Sequence, residues 1–240
     1  MNTHKDIYIN IGKRLESIIE ESFSKKENEI LFSKIAAFHD DYEHWINLVK
    51  DNNEALIYTE ALTNYKMMLL FISEGLYKNA YMLLRGYLEF TLFGVRLSSN
   101  DWEFRKWKHG DREADVSWAK IMDYEDGIFG KKYINAYNSI LQEDASLICQ
   151  KAGILYRECS EYIHNGYSIC KDFDVAFDED TFKKICKEVV EINKIIVFAF
   201  CIRYYDKMKE CKVDNLFDVI REYLNEYKTI HILLEEKSSE

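Results

Sequence analysis

An all-α fold is predicted by three observations. The chain of 240 residues has no proline and only 9 glycines, so the residues that most often interrupt helices are scarce. Apolar side chains recur at spacings of three and four, and no segment of useful length alternates with period two. Hydrophobic residues make up 48% and aromatics 15%, enough to fill a sizeable core.

Each element follows from that spacing. His4–Phe23 carries Ile7, Ile11, Leu15 and Ile18/Ile19 on one face. Glu29–Val49 repeats the pattern through Leu31, Ile35, Phe38, Tyr42, Trp45 and Val49, and Asn52-Asn53 punctuates it. Glu54–Glu74 follows, with Gly75 as its stop, and then Lys78–Leu97 through Ala80, Leu84, Leu88, Leu92 and Val95. Trp102–Gly130 breaks the period and holds Trp102, Trp107 and Trp118, so short helices and loops packed by tryptophans are expected there. Lys131–His164 returns to helix, with Gly153 as a candidate break. Asp172–Asp180 reads as an acidic connection, and Asp180 or Thr181 as the cap of the next helix. Thr181–Met208 is the most regular segment, and its 3-4-3-4 spacing suits antiparallel bundle packing. Asp214–Glu236 reads as one last amphipathic helix. The organisation expected is a bundle over 53–236, with 1–52 as an N-terminal helical appendage packed on it.

Composition excludes some functions. The formal charge of −10 argues against a broad nucleic-acid coat. The six cysteines contain no C-x-x-C pair, so free thiols in a reducing compartment are expected. Met1–Ile30 is too charged for a signal peptide, and the apolar runs Met67–Ile72 and Ile195–Ile202 are far shorter than the ~20 residues of a membrane span. A cytoplasmic protein without membrane partners is the expectation.

Plausible reaction chemistry concentrates in Tyr156–Gly166, sequence YRECSEYIHNG. Arg157, Ser160, Glu161 and His164 stand at i, i+3, i+4 and i+7, which places them within about 100° of helix circumference. Leu155, Cys159, Tyr162 and Ile163 take the opposite side, and Asn165-Gly166 is a helix stop. Arginine grips phosphate with a planar fork, and histidine moves protons near neutral pH. A solvated polar face ending in a histidine is the competing reading. Arg85 and Glu89 form an i, i+4 pair in the apolar stretch LLRGYLEF, either as a structural salt bridge or as groups that orient the Arg157–His164 stripe. Arg105, Lys106, Lys108 and Arg112 flank Trp107 and His109 as candidate RNA contacts, although Asp101, Glu103 and Asp111 nearly cancel their charge. Glu161-x-x-His164 also matches half of a di-iron site, but the nearest second half is Asp41-x-x-His44, so no metal and no other cofactor is expected.

Arg85-Gly86-Tyr87-Leu88-Glu89 on one helix, Arg157 and His164 on a later one, and the small residues Asn165-Gly166 after the histidine together resemble the HEPN superfamily, most of all its bacterial stand-alone members in phage defence and toxin–antitoxin pairs. The likeness spans roughly Glu54 to Met208. Family members most often have Asn or Asp after the arginine and four residues before the histidine; here Glu158 follows Arg157 and the gap is six. The resemblance implies an up-and-down helical bundle that forms a homodimer with the two arginine–histidine helices face to face. It implies a metal-independent endoribonuclease with Arg157 and His164 catalytic, Ser160, Glu161, Arg85 and Glu89 supporting, RNA as substrate, and an antitoxin or regulatory protein as partner. Degenerate members imply the alternative, a catalytically silent module that binds a nucleotide or a protein.

Overall fold

The computed structural model describes residues 4–163 and 176–238. Among them are α-helices and two short 3-10 turns, with no strand. The helices are α1 (His4–Ser22), α2 (Lys26–Leu48), α3 (Ala55–Ser73), α4 (Tyr77–Leu97), α5 (Asp101–Lys108), α6 (Trp118–Ile121), α7 (Lys131–Tyr137), α8 (Gln142–Ile163), α9 (Glu179–Cys211), α10 (Asp214–Leu224) and α11 (Lys228–Ser238). None of the described helices is long and apolar enough to cross a membrane.

The axis of the fold is α9. Its 33 residues make a rod about 50 Å long, against which α2, α4, α8 and α10 pack. Helices α3 and α4 form a tight antiparallel hairpin. Gly75 reverses the chain there at φ +67, where a side chain would be strained and its Cβ would stand 2.6 Å from the Ala176 carbonyl oxygen. At the other end of the hairpin a Cβ on Gly94 would fall 2.4 Å from the Tyr58 ring, so glycine sets how closely the two helices approach.

The core centres on Phe200 of α9. Its ring meets Trp45 at 4.9 Å, Tyr58 at 5.2 Å, Tyr42 at 5.7 Å and Tyr204 at 5.9 Å between centroids. Buried hydroxyls find partners, as they must. Tyr42 bonds Thr91 at 2.8 Å, Tyr58 bonds Tyr204 at 2.8 Å, and Tyr204 donates to the buried carboxylate of Glu54 at 2.9 Å. Asn193, in the middle of α9, donates to Tyr65 at 3.0 Å, and Tyr65 donates to the Ile35 carbonyl at 2.6 Å. The first 52 residues differ in depth. Phe38, Tyr42 and Trp45 of α2 are in the core, whereas Ile7, Tyr8, Ile9 and Ile11 of α1 are exposed.

Three boundaries differ from the sequence reading. Lys131–His164 breaks at Asn138, not at Gly153. Asn138 leaves the helical conformation (φ −156, ψ 85) between α7 and a 3-10 turn, while Gly153 lies inside α8 with open space beside it. The last helix is two helices, parted at 225–227. A tertiary contact fixes the start of α11: Asp144 of α8 accepts from the Thr229 amide at 3.1 Å and hydroxyl at 2.7 Å. The cap of α9 is Asp178, whose Oδ2 accepts from the Thr181 amide at 2.8 Å, two or three residues before the expected positions.

Candidate functional site

The seam between α4 and α8 gathers the polar chemistry. Arg85 and Glu89 are one turn apart on the α4 face turned to α8, with side chains 18% and 19% exposed. Arg85 Nη2 lies 3.4 Å from Glu89 Oε1 and donates to the Tyr156 hydroxyl at 2.6 Å. Arg85 Nε lies 3.3 Å from Glu89 Oε2 but is misaligned for a hydrogen bond, so this buried N–H has no acceptor. The guanidinium carbon is 4.6 Å from the centroid of the Tyr156 ring, and Trp118 of α6 stacks on that ring at 3.9 Å and 3°. Burial, with the Glu89 carboxylate beside it, holds the Tyr156 phenol above its usual range, and Arg85 opposes this. A cation, a carboxylate and a stacked phenol–indole pair therefore meet at one place. Tyr156 is the residue that sequence reasoning missed. In the sequence it only opens the motif Tyr156–Gly166, and its one signal is its place beside Arg157.

The motif helix divides its residues between environments. Arg157 and Glu161 lie on the solvent face of α8, and among the described residues Arg157 makes no ion pair. Ser160 is half-buried and donates back to the Tyr156 carbonyl at 2.7 Å. Leu155 and Cys159 are buried. His164 lies outside the described residues, as do Asn165, Gly166 and the first part of the acidic connection.

A second polar group lies where α8 meets α9. Tyr81 donates to Glu188 Oε2 at 2.6 Å and stacks on Tyr162 at 3.8 Å, and Lys184 stands 3.5 Å from Glu188 Oε1. Burial raises the Glu188 carboxyl above its ordinary value; the Tyr81 hydrogen bond and Lys184 oppose this, and Glu158 adds to it. A carboxyl with a raised folded-state pKa favours the fold while protonated, and that contribution is lost as pH rises from about 4.5 through the raised value. Glu188→Gln keeps an acceptor for Tyr81 and removes the buried charge. Its urea midpoint at pH 8 should therefore equal or exceed that of wild type, with a smaller drop between pH 5 and pH 8. A variant that loses more stability at pH 8 than at pH 5 would refute this assignment.

The basic run after α4 is largely neutralised by its own neighbours. Arg105 pairs with Asp101 at 2.6 Å, and Lys106 faces Asp111 at 3.6 Å and Glu113 at 3.8 Å. Lys108 and Arg112 are exposed. Trp107 anchors the turn against Phe93 and Phe104. For metals, the ligand atoms of His39, Asp40 and Glu43 come within 4.8 Å of one another on α2, but Glu43 already pairs with Lys66 at 2.9 Å. Asp41-x-x-His44 is not that cluster.

No family model matches the chain, and no curated protein or solved structure matches it either.

Proposed function

We propose that the chain is a HEPN-like helical protein that binds a nucleotide or RNA at the α4–α8 seam. The observation that carries the reading is the half-buried Arg85 guanidinium, set against the stacked Tyr156–Trp118 pair. A guanidinium offers phosphate its fork, and an aromatic plane offers a base its stacking surface. Glu89 and Tyr156 hold the guanidinium in place, which reduces the ordering cost when a ligand arrives.

A second reading is a metal-independent endoribonuclease in phage defence or a toxin–antitoxin pair, acting as a homodimer. It is favoured by the exposed Arg157, which no carboxylate neutralises among the described residues and which is therefore available to phosphate. In this reading His164 moves the protons and Arg157 stabilises the charge of the phosphorane. Fluorescence anisotropy with a labelled single-stranded RNA, and gel analysis of the same RNA, separate the two. Binding should fall at least tenfold in Arg85→Lys and with rising salt. If cleavage occurs, Arg157→Ala and His164→Ala should each abolish it with the fold intact, and chelator should leave it unchanged. Absence of saturable binding to RNA and mononucleotides by wild-type protein would overturn the seam assignment. Binding without cleavage would leave the silent module.

A further inference from the structure

Away from that seam, the irregular segment before α7 closes over the first half of α8 and leaves a cavity of about 340 Å³, within the size range of small-molecule sites. Its inner wall is apolar, made by Phe129, Ile134, Ala145 and the half-buried Cys149. Its rim carries one charge of each sign, Asp123 and Lys131.

The wall is built to stay in place. Asp123 Oδ1 accepts from the amides of Glu125 and Asp126, both at 2.9 Å, which holds the carboxylate below its usual range and leaves Oδ2 for another donor. Gly127 packs so tightly that a Cβ there would meet the Asp123 carbonyl oxygen at 2.4 Å. Lys132, the neighbour of Lys131, is tied to Glu125 and Asp126 at 2.7 Å and 3.1 Å. Lys131 has no ion pair among the described residues and stands exposed at the rim. Tyr124, also at the rim, is 90% exposed, so its ring contributes almost nothing to the core of the isolated chain.

We propose that this cavity binds a free α-amino acid with an apolar side chain. Such a molecule has the chemistry of the site: a carboxylate for Lys131, an ammonium for Asp123, and an apolar body for the wall of Phe129, Ile134, Ala145 and Cys149, with the exposed Tyr124 ring at the mouth. The placement does not depend on the RNA reading, because none of the cavity residues is Arg85, Glu89, Trp118 or Tyr156.

Calorimetric titration and thermal shift of the full chain with L-leucine and L-phenylalanine test it, beside L-lysine, L-glutamate and the N-acetyl and amide derivatives of the two apolar ligands. Saturable binding is expected for the free apolar amino acids, weakened at least tenfold by either blocking group and by Lys131→Ala. Ser146→Trp, which fills the cavity from an exposed rim position, should abolish it. Absence of saturable binding by wild type, equal binding of the blocked derivatives, or undiminished binding by Lys131→Ala would each overturn the proposal. If circular dichroism shows Ser146→Trp misfolded, Lys131→Ala and the blocked ligands decide the matter alone.

Discussion

Phe200→Ala should cost about 3–5 kcal/mol of unfolding free energy, the usual range for removing a buried phenylalanine. The ring is fully buried and lies within 6 Å of four other aromatic rings, from α2, α3 and α9 itself. Its removal leaves a void walled by tyrosines whose hydroxyls are bound elsewhere. Tyr42 is held by Thr91, and Tyr58 and Tyr204 hold each other. These rings cannot collapse inward without breaking those hydrogen bonds, which places the cost toward the upper end of the range. For a chain of this size the melting temperature should drop by roughly 6–20 °C. Urea denaturation followed by tryptophan fluorescence reports it directly, because Trp45 is one of the four neighbours. A loss below about 1 kcal/mol would mean that the α2–α3–α9 junction is not the centre of the core.

Glu89→Ala should cost about 2–3 kcal/mol. Breaking a buried pair costs about 3–5 kcal/mol and an exposed one about 0–1, and side chains 18% and 19% exposed lie nearer the buried case. The loss comes from leaving a guanidinium half-buried beside Tyr156 with one carboxylate fewer. The double substitution Arg85→Met/Glu89→Leu removes both charges and should recover most of the stability, since well-packed apolar replacements of buried pairs are often neutral. If the seam binds phosphate, that stable double variant should still have lost RNA and nucleotide binding. Thermal melts beside anisotropy titrations of the three variants test both halves. A melting temperature of Glu89→Ala equal to wild type would place the pair at the surface, and a double variant that binds like wild type would make it purely structural.

The helical positions were legible because apolar spacing is local. The pattern of Phe182, Ile185, Val189, Ile192 and Ile196 defines the buried face of α9 without knowledge of what covers it. Helix ends were less legible. The break at Asn138 and the start of α11 at Lys228 leave the apolar period almost undisturbed, so periodicity runs through both. Asp144, eighty-five residues away in sequence, is what satisfies the free amide at Thr229. The Arg85–Glu89 pair was visible as a charged step in an apolar helix, and the structure adds its third member, Tyr156.

The sequence by itself determined the helical class, the glycine reversal after α3, the buried faces of α2, α4 and α9, and the placement of Arg157 and Glu161 on one side of α8; the face read for α1 through Ile7 and Ile11 is exposed instead. All of these depend on 3.6-residue periodicity and on backbone preferences that act within a turn or two. Only the tertiary structure decided that Tyr156, not Arg157, faces Arg85, that Trp118 stacks on it, that Glu188 sits beside Tyr81, and that Asp123 and Lys131 share the rim of a cavity. The first three pairings join residues far apart in the chain, and the packing angles of whole helices set them; no local preference encodes such angles. The rim of the cavity is set by the irregular segment before α7 and the way it meets α8.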